Sequence, residues 1–188
     1  MRSNYSSRLN LDGKDISSLA ISWQRFLPDA IFLCPNAPEV CSINPHGYQW
    51  FDLASEKEED ILRKSIEAEK KLSKYLDPNN LALVGFSQGC MISIQVGLKK
   101  KEKINCVIGY SGKIINQNHL SKNINSRPNL FLMHGESDII VSPIHLEAKE
   151  YLTKNGLKIK TKMFKNCEHT IPVEGSSLGL AFLKKNLL

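Results

Sequence analysis

Several things are missing from this sequence, and each absence narrows the function. No apolar run approaches the length of a membrane span. The first residues, Met1-Arg2-Ser3-Asn4-Tyr5-Ser6-Ser7-Arg8, lack the apolar core of a secretory signal. There is no C-x-x-C pair. The 5 cysteines, Cys34, Cys41, Cys90, Cys106 and Cys167, are odd in number and scattered, which fits reduced thiols in a cytoplasmic protein. Cys34, Cys90 and Cys106 lie within apolar runs and read as core residues. The histidines have no metal-ligand spacing, and no motif asks for a cofactor. Aromatic residues make up only 7% of the chain and do not interleave with basic ones. The formal charge of +6 therefore does not read as a nucleic-acid platform. The one dense basic run, Lys99-Lys100-Lys101-Glu102-Lys103, falls where a helix should end, and cations there complement the helix dipole.

What is present describes one folded domain over residues 1–188, with 41% hydrophobic and 23% charged residues and no repeat, low-complexity tract or linker. Residues 1–11 are polar. Asp12-Gly13-Lys14-Asp15 turns into a helix with Ile16, Leu19, Ala20, Trp23, Phe26 and Leu27 on one face, stopped by Pro28. Residues 30–34 read as a continuous apolar strand, and residues 44–52 as a loop. A long helix is expected from a capping box at Ser55-Glu56-Lys57-Glu58, with Ile61, Leu62, Ile66, Leu72 and Leu76 buried. Further strands are expected at 81–84, 104–110 and 130–133, and a half-exposed edge strand at 158–164. Helices should follow the first of these, run from Pro143 to Leu152, and close the chain at 175–187. The polar stretch 116–127 is a loop or a short helix. Strands separated by helices imply a mostly parallel sheet with helices on both faces, an α/β fold.

The organising motif is Gly85-Phe86-Ser87-Gln88-Gly89, a G-x-S-x-G between a strand and a helix. That context makes it a nucleophile elbow rather than an incidental turn containing serine. A serine hydroxyl is a weak nucleophile unless it stands on a tight turn within reach of a base. Flanking glycines let strand and helix approach, and the helix start aims backbone N–H groups, that of Gln88 included, at developing negative charge. The base requires an orienting carboxylate. Asp138 is the only aspartate after Ser87 and lies in the loop His134-Gly135-Glu136-Ser137-Asp138, just beyond a strand. His169 follows the edge strand in Cys167-Glu168-His169-Thr170. Three such residues on three strand-end loops predict a Ser87–Asp138–His169 triad. Among the other histidines, His46 precedes the serine, His119 has no strand end beside it and His145 begins a helix. His134 shares the Asp138 loop and is read as shaping the strand exit.

With these motifs, Pro35-Asn36-Ala37-Pro38, Gln49-Trp50-Phe51-Asp52-Leu53 and Glu168-His169-Thr170-Ile171, the chain resembles the phospholipase/carboxylesterase family of α/β-hydrolases, which includes acyl-protein thioesterases. The resemblance runs from about Leu11 to the carboxyl terminus. It implies an α/β-hydrolase fold, with Ser87 as nucleophile, Asp138 as acid, His169 as base and the Gln88 N–H as an oxyanion donor. Cleavage of small-molecule or acyl carboxylic esters or thioesters of short to medium chain is the implied activity. Trp50, Phe51 and Ile139 are implied either as acyl-pocket walls or as plain core. The chain departs from the family at its amino terminus. The H-G-x-G loop that supplies the second oxyanion N–H would fall on Ser7-Arg8-Leu9-Asn10, placing Leu9 at the donor position, and the strand before it is reduced to polar residues 2–6. An intact elbow and triad beside this front are expected either from a start codon placed too late or from a decayed gene whose product is truncated. Two readings result: an active serine hydrolase, or a catalytically impaired remnant that acts as a binding protein.

Overall fold

The computed structural model describes residues 13–41, 44–52, 57–73, 81–101, 104–142 and 145–187. Two compact units emerge, Met1–Lys71 and Leu72–Leu188.

In the first unit, helix α1 (Gly13–Gln24) buries Leu19 and Trp23, four residues apart on one face, with Leu27 one further step along. The helix ends before Pro28, whose ring disfavours helical geometry at the residue preceding it. Phe26 falls off the buried stripe and is 42% exposed, with the Arg25 guanidinium 4.5 Å above its ring. Residues 30–34, expected as a strand, are not one. A strand exists by pairing its N–H and C=O groups, and no described segment pairs with this one; Ile31 and Leu33 are exposed. The stretch read as a loop contains a strand instead. Strand β1 (Glu39–Cys41) pairs antiparallel with β2 (Asn44–Gln49), matching Glu39 with Gln49 and Val40 with Tyr48. Pro45 and Gly47 hide this in the sequence, because both are turn signals more often than strand residues. Helix α2 (Glu58–Ser73) begins later than expected, and its buried face follows Ser65, Ala68 and Leu72. Ile61, Leu62 and Ile66 are only half-buried. Ser55 and Glu56 of the expected capping box, and Leu76, lie outside the described residues.

The second unit is a four-stranded parallel sheet in the order β3-β4-β5-β6, formed by β3 (Ala82–Phe86), β4 (Cys106–Tyr110), β5 (Asn129–Gly135) and β6 (Ile159–Phe164). Between them come α3 (Gln88–Lys99), the short α4 (Gln117–Ser121), whose first turn is capped by Asn116, and α5 (His145–Lys154); α6 (Val173–Leu187) follows β6. Side chains alternate along a strand, so β4 shows which helix covers which face. Val107 and Gly109 meet α3: a methyl added at Gly109 would strike Cys90, and one added at Gly97 would strike Val107. Tyr110 points the other way and donates its hydroxyl hydrogen to the Gly175 carbonyl of α6 at 3.1 Å. Phe131, level with Ile108 on β5, stacks against Phe182 of α6. Covered on both faces, every residue of β4 is buried. Cys90 and Cys106 belong to this core, and burial pushes both thiols up to about 12. In a parallel sheet all carboxyl ends lie on one edge, where Phe86, Tyr110, Gly135 and Phe164 hand the chain to its loops.

Candidate active site

Ser87 stands at the turn between β3 and α3 with φ 52° and ψ −119°, a combination that side-chain-bearing residues rarely adopt. The neighbouring chain holds it there. Its N–H donates to the Tyr110 carbonyl at 2.8 Å, while its own carbonyl accepts from Met91 at 3.2 Å. Gly85 must be glycine, because a methyl there would overlap the Gly89 carbonyl and lie 2.5 Å from the Cys90 nitrogen. Gly112 makes a matching approach from β4, where a methyl would lie 2.5 Å from Cys90 Cβ and 3.1 Å from the Ser87 carbonyl oxygen. Serine at the start of a helix ordinarily caps it, but the Ser87 hydroxyl makes no capping hydrogen bond. Gln88, the first residue of α3, is buried, and the N–H groups of a first helical turn carry the positive end of the helix dipole.

Asp138 and His169 meet across the ends of β5 and β6. His169 Nδ1 donates to Asp138 Oδ2 at 2.8 Å, with both side chains almost wholly buried. The two loops are laced together by backbone bonds from Glu136 to the Phe164 carbonyl and from Ser137 to the Cys167 carbonyl, each 2.9 Å. Asp138 Oδ1 accepts from the N–H groups of Ile140 at 3.0 Å and Val141 at 2.9 Å. Burial alone would raise the Asp138 carboxyl. The Val141 N–H and the two histidines outweigh it and hold the group below its ordinary 3.8. The His169 ring lies 4.7 Å, centroid to centroid, from that of Phe86, the residue immediately before Ser87.

The three predicted triad positions thus gather on one edge of one sheet. Ile139 is next to Asp138 and 76% exposed. Trp50, half-buried, and Phe51, fully buried, belong to the first unit. Leu9 lies outside the described residues. Phe86, which packs on His169, and Ser111, beside the elbow, were not picked out from sequence, and His134 was read there only as shaping the strand exit. His134 Nε2 lies 3.1 Å from Asp138 Oδ2, and the spacing H-x-x-x-D within one strand-exit loop is the signal that could have found it. Ser111, beside Ser87 across the β3–β4 ladder, has φ 47°, is buried, and its hydroxyl makes no hydrogen bond among the described residues. Among those residues there is also no cluster of metal-ligating side chains, and no helix long and apolar enough to cross a membrane.

A parallel sheet with a strained serine on its strand–turn–helix and a buried acid–histidine pair on the adjoining strand ends defines an α/β-hydrolase. Solved structures agree. Esterase PE8 superposes with a TM-score of 0.86 at 33% identity over 94% of this chain and 87% of that one. Acyl-protein thioesterase 1 of Aspergillus fumigatus is 28% identical, covering 91% of this chain and 83% of that protein, and its namesake in Schizosaccharomyces pombe is 28% identical over 86% and 80%. The model of the phospholipase/carboxylesterase family matches residues 12–187, and the chain belongs to that family. It is a serine hydrolase of the carboxylesterase/thioesterase type.

Proposed function

We propose that Ser87, Asp138 and His169 cleave carboxylic esters or thioesters through an acyl-enzyme. With Nδ1–H donated to Asp138, His169 Nε2 is the basic nitrogen. It takes the Ser87 hydroxyl proton as Oγ attacks the substrate carbonyl carbon. The carbonyl oxygen becomes an oxyanion at the start of α3, where the Gln88 N–H donates to it. As the tetrahedral adduct collapses, Nε2–H passes its proton to the leaving alcohol or thiol, and Ser87 keeps the acyl group. Water then repeats the sequence, losing a proton to Nε2, and the carboxylic acid departs with the Ser87 proton restored. Asp138 stays ionised throughout and fixes the imidazole tautomer.

The observation that carries this reading is the 2.8 Å Asp138–His169 bond on the sheet edge that also bears the strained Ser87. The acyl-protein thioesterases among the relatives support thioesters beside oxygen esters as substrates. Residues 1–188 are read as a single hydrolase domain, since one family model spans both units. The exposed Ile139 beside the acid is assigned to the acyl-binding wall, while Trp50 and Phe51, of the first unit, are held as either acyl-pocket residues or plain core. Leu9 is the proposed second oxyanion donor.

The test is covalent labelling with a fluorophosphonate, alongside hydrolysis of p-nitrophenyl acyl esters and acyl thioesters. Wild type should label once, Ser87→Ala should not label, and turnover in Ser87→Ala should fall by about 10⁴-fold or more. Folded wild-type protein that takes no label and cleaves neither substrate would overturn the proposal and leave the binding-protein reading in its place.

A further inference from the structure

The acid of the triad is shared by two histidines. His134, the next-to-last residue of β5, sits fully buried with Nε2 2.8 Å from the Val141 carbonyl oxygen and 3.1 Å from Asp138 Oδ2. Both facing atoms are acceptors only, a carbonyl and a carboxylate, so the proton is assigned to Nε2. The neutral ring is favoured because burial outweighs the neighbouring carboxylate and lowers the basicity of His134. Oδ1 accepts from Ile140 and Val141, Oδ2 accepts from His169, and the one Nε2–H of His134, hydrogen-bonded to the Val141 carbonyl, also faces Oδ2 at 3.1 Å. Val141 closes the arrangement, donating to Oδ1 while its carbonyl accepts from His134.

Resting on the triad reading above, we propose that His134 is a positioning residue: its Nε2–H holds Oδ2 of Asp138 in line with His169 and limits how strongly that carboxylate supports a proton on the base. A carboxylate oxygen shared between two donors offers less charge to each. Removing His134 concentrates that charge on His169 Nδ1–H and favours the imidazolium. Other titratable groups near Asp138 are the Cys167 thiol and, next to it, Glu168; His169 itself faces Asp138 and the uncharged Phe86 ring. None of these changes when His134 is replaced.

The experiment follows the histidine ring resonances by NMR against pH in full-length wild type, His134→Leu and His134→Gln, which works whether or not the chain turns over. In wild type, His134 should hold the neutral Nε2–H tautomer while His169 takes up its proton. In His134→Leu, the pH midpoint for His169 should rise by about half a unit or more, and the acid limb of kcat/KM should move with it. Glutamine reaches the Nε2 position with an N–H, so His134→Gln should restore the wild-type midpoint. A role in folding alone would reduce thermal stability or active fraction at every pH and leave the midpoint in place. An unshifted midpoint in His134→Leu, equal shifts in both variants, or an Nδ1–H tautomer in wild type would each overturn the proposal. Should His134→Leu not fold, His134→Asn takes its place, because its shorter amide cannot reach Oδ2; a shift in Asn and none in Gln is then required. The triad reading fails separately, if Asp138→Asn labels with fluorophosphonate as fast as wild type.

Discussion

Gly135 is where the Asp138 loop and the His169 loop are pressed together, so Gly135→Ala tests the proposed site without touching a reacting group. A methyl at Gly135 would overlap the carbonyl oxygens of Cys167 and Glu168 and stand 2.7 Å from the Cys167 carbonyl carbon. These are backbone atoms directly before His169 and cannot rotate away. Carbon–carbon contacts settle near 3.5 Å, so the Cys167–His169 segment must retreat by about 0.8 Å. Stretched by that amount, the 2.8 Å His169–Asp138 bond reaches about 3.6 Å, beyond hydrogen-bonding range. The Ser137 bond to the Cys167 carbonyl is strained by the same movement. Overpacking of this kind destabilises by about 1–3 kcal/mol, and a misplacement near 1 Å lowers turnover by about 10²-fold. Both quantities are measurable, the first by urea denaturation and the second from kcat/KM on p-nitrophenyl esters, with active sites counted by fluorophosphonate. Gly156→Ala serves as the comparison. Gly156 has φ 78° and lies on the turn after α5, so alanine there should cost about 1–2 kcal/mol and leave kcat/KM alone. A Gly135→Ala protein with wild-type kcat/KM would refute the claim that the Cys167–Glu168 backbone positions the base.

Acid should weaken the fold in two steps. His134 is held below its ordinary 6.5, so the unfolded chain binds that proton first; the stability it contributes is complete above pH 6.5 and is lost as pH falls below it. Asp138 is held below 3.8, so its contribution is present above that value and disappears as pH falls through the lower, folded-state value. Urea midpoints measured from pH 8 down to 3 should begin to fall near 6.5, and His134→Gln should remove that first decline; a wild-type midpoint flat down to pH 5 would contradict the assignment. Ser111→Gly should stabilise the protein. It relieves a left-handed backbone and removes a buried hydroxyl unbonded among the described residues, against the added chain entropy of glycine, for a net gain of about 1–2 kcal/mol by thermal or urea unfolding. A loss of stability would mean that the Ser111 hydroxyl has a partner in solution.

The placement of Ser87, Asp138 and His169 on one sheet edge was legible in the sequence wherever a local pattern was enough. Gly85-Phe86-Ser87-Gln88-Gly89 marks its own turn, because only that spacing of glycines lets β3 run into α3 around a serine. A lone aspartate after the serine and a histidine after an edge strand could be placed by counting strand ends, since parallel strands deliver all their exits to one edge. The half-exposed alternation of residues 158–164 likewise foretold β6 at the border of the sheet. Pairing was not legible. Residues 30–34 have a strand's composition, but composition supplies no partner for backbone hydrogen bonds, whereas 44–49 carry turn residues and pair all the same. Only tertiary structure decided that Ser111 is twisted into a left-handed conformation beside the elbow. It also decided that His134, which sequence had set aside as a strand-exit residue, lies 3.1 Å from the Asp138 oxygen that accepts from His169. Identity along the chain names the groups able to react. The bond that joins Asp138 to His169, 31 residues further on, comes from the register of the neighbouring strands β5 and β6, whereas His134 approaches the same carboxylate from within one strand-exit loop.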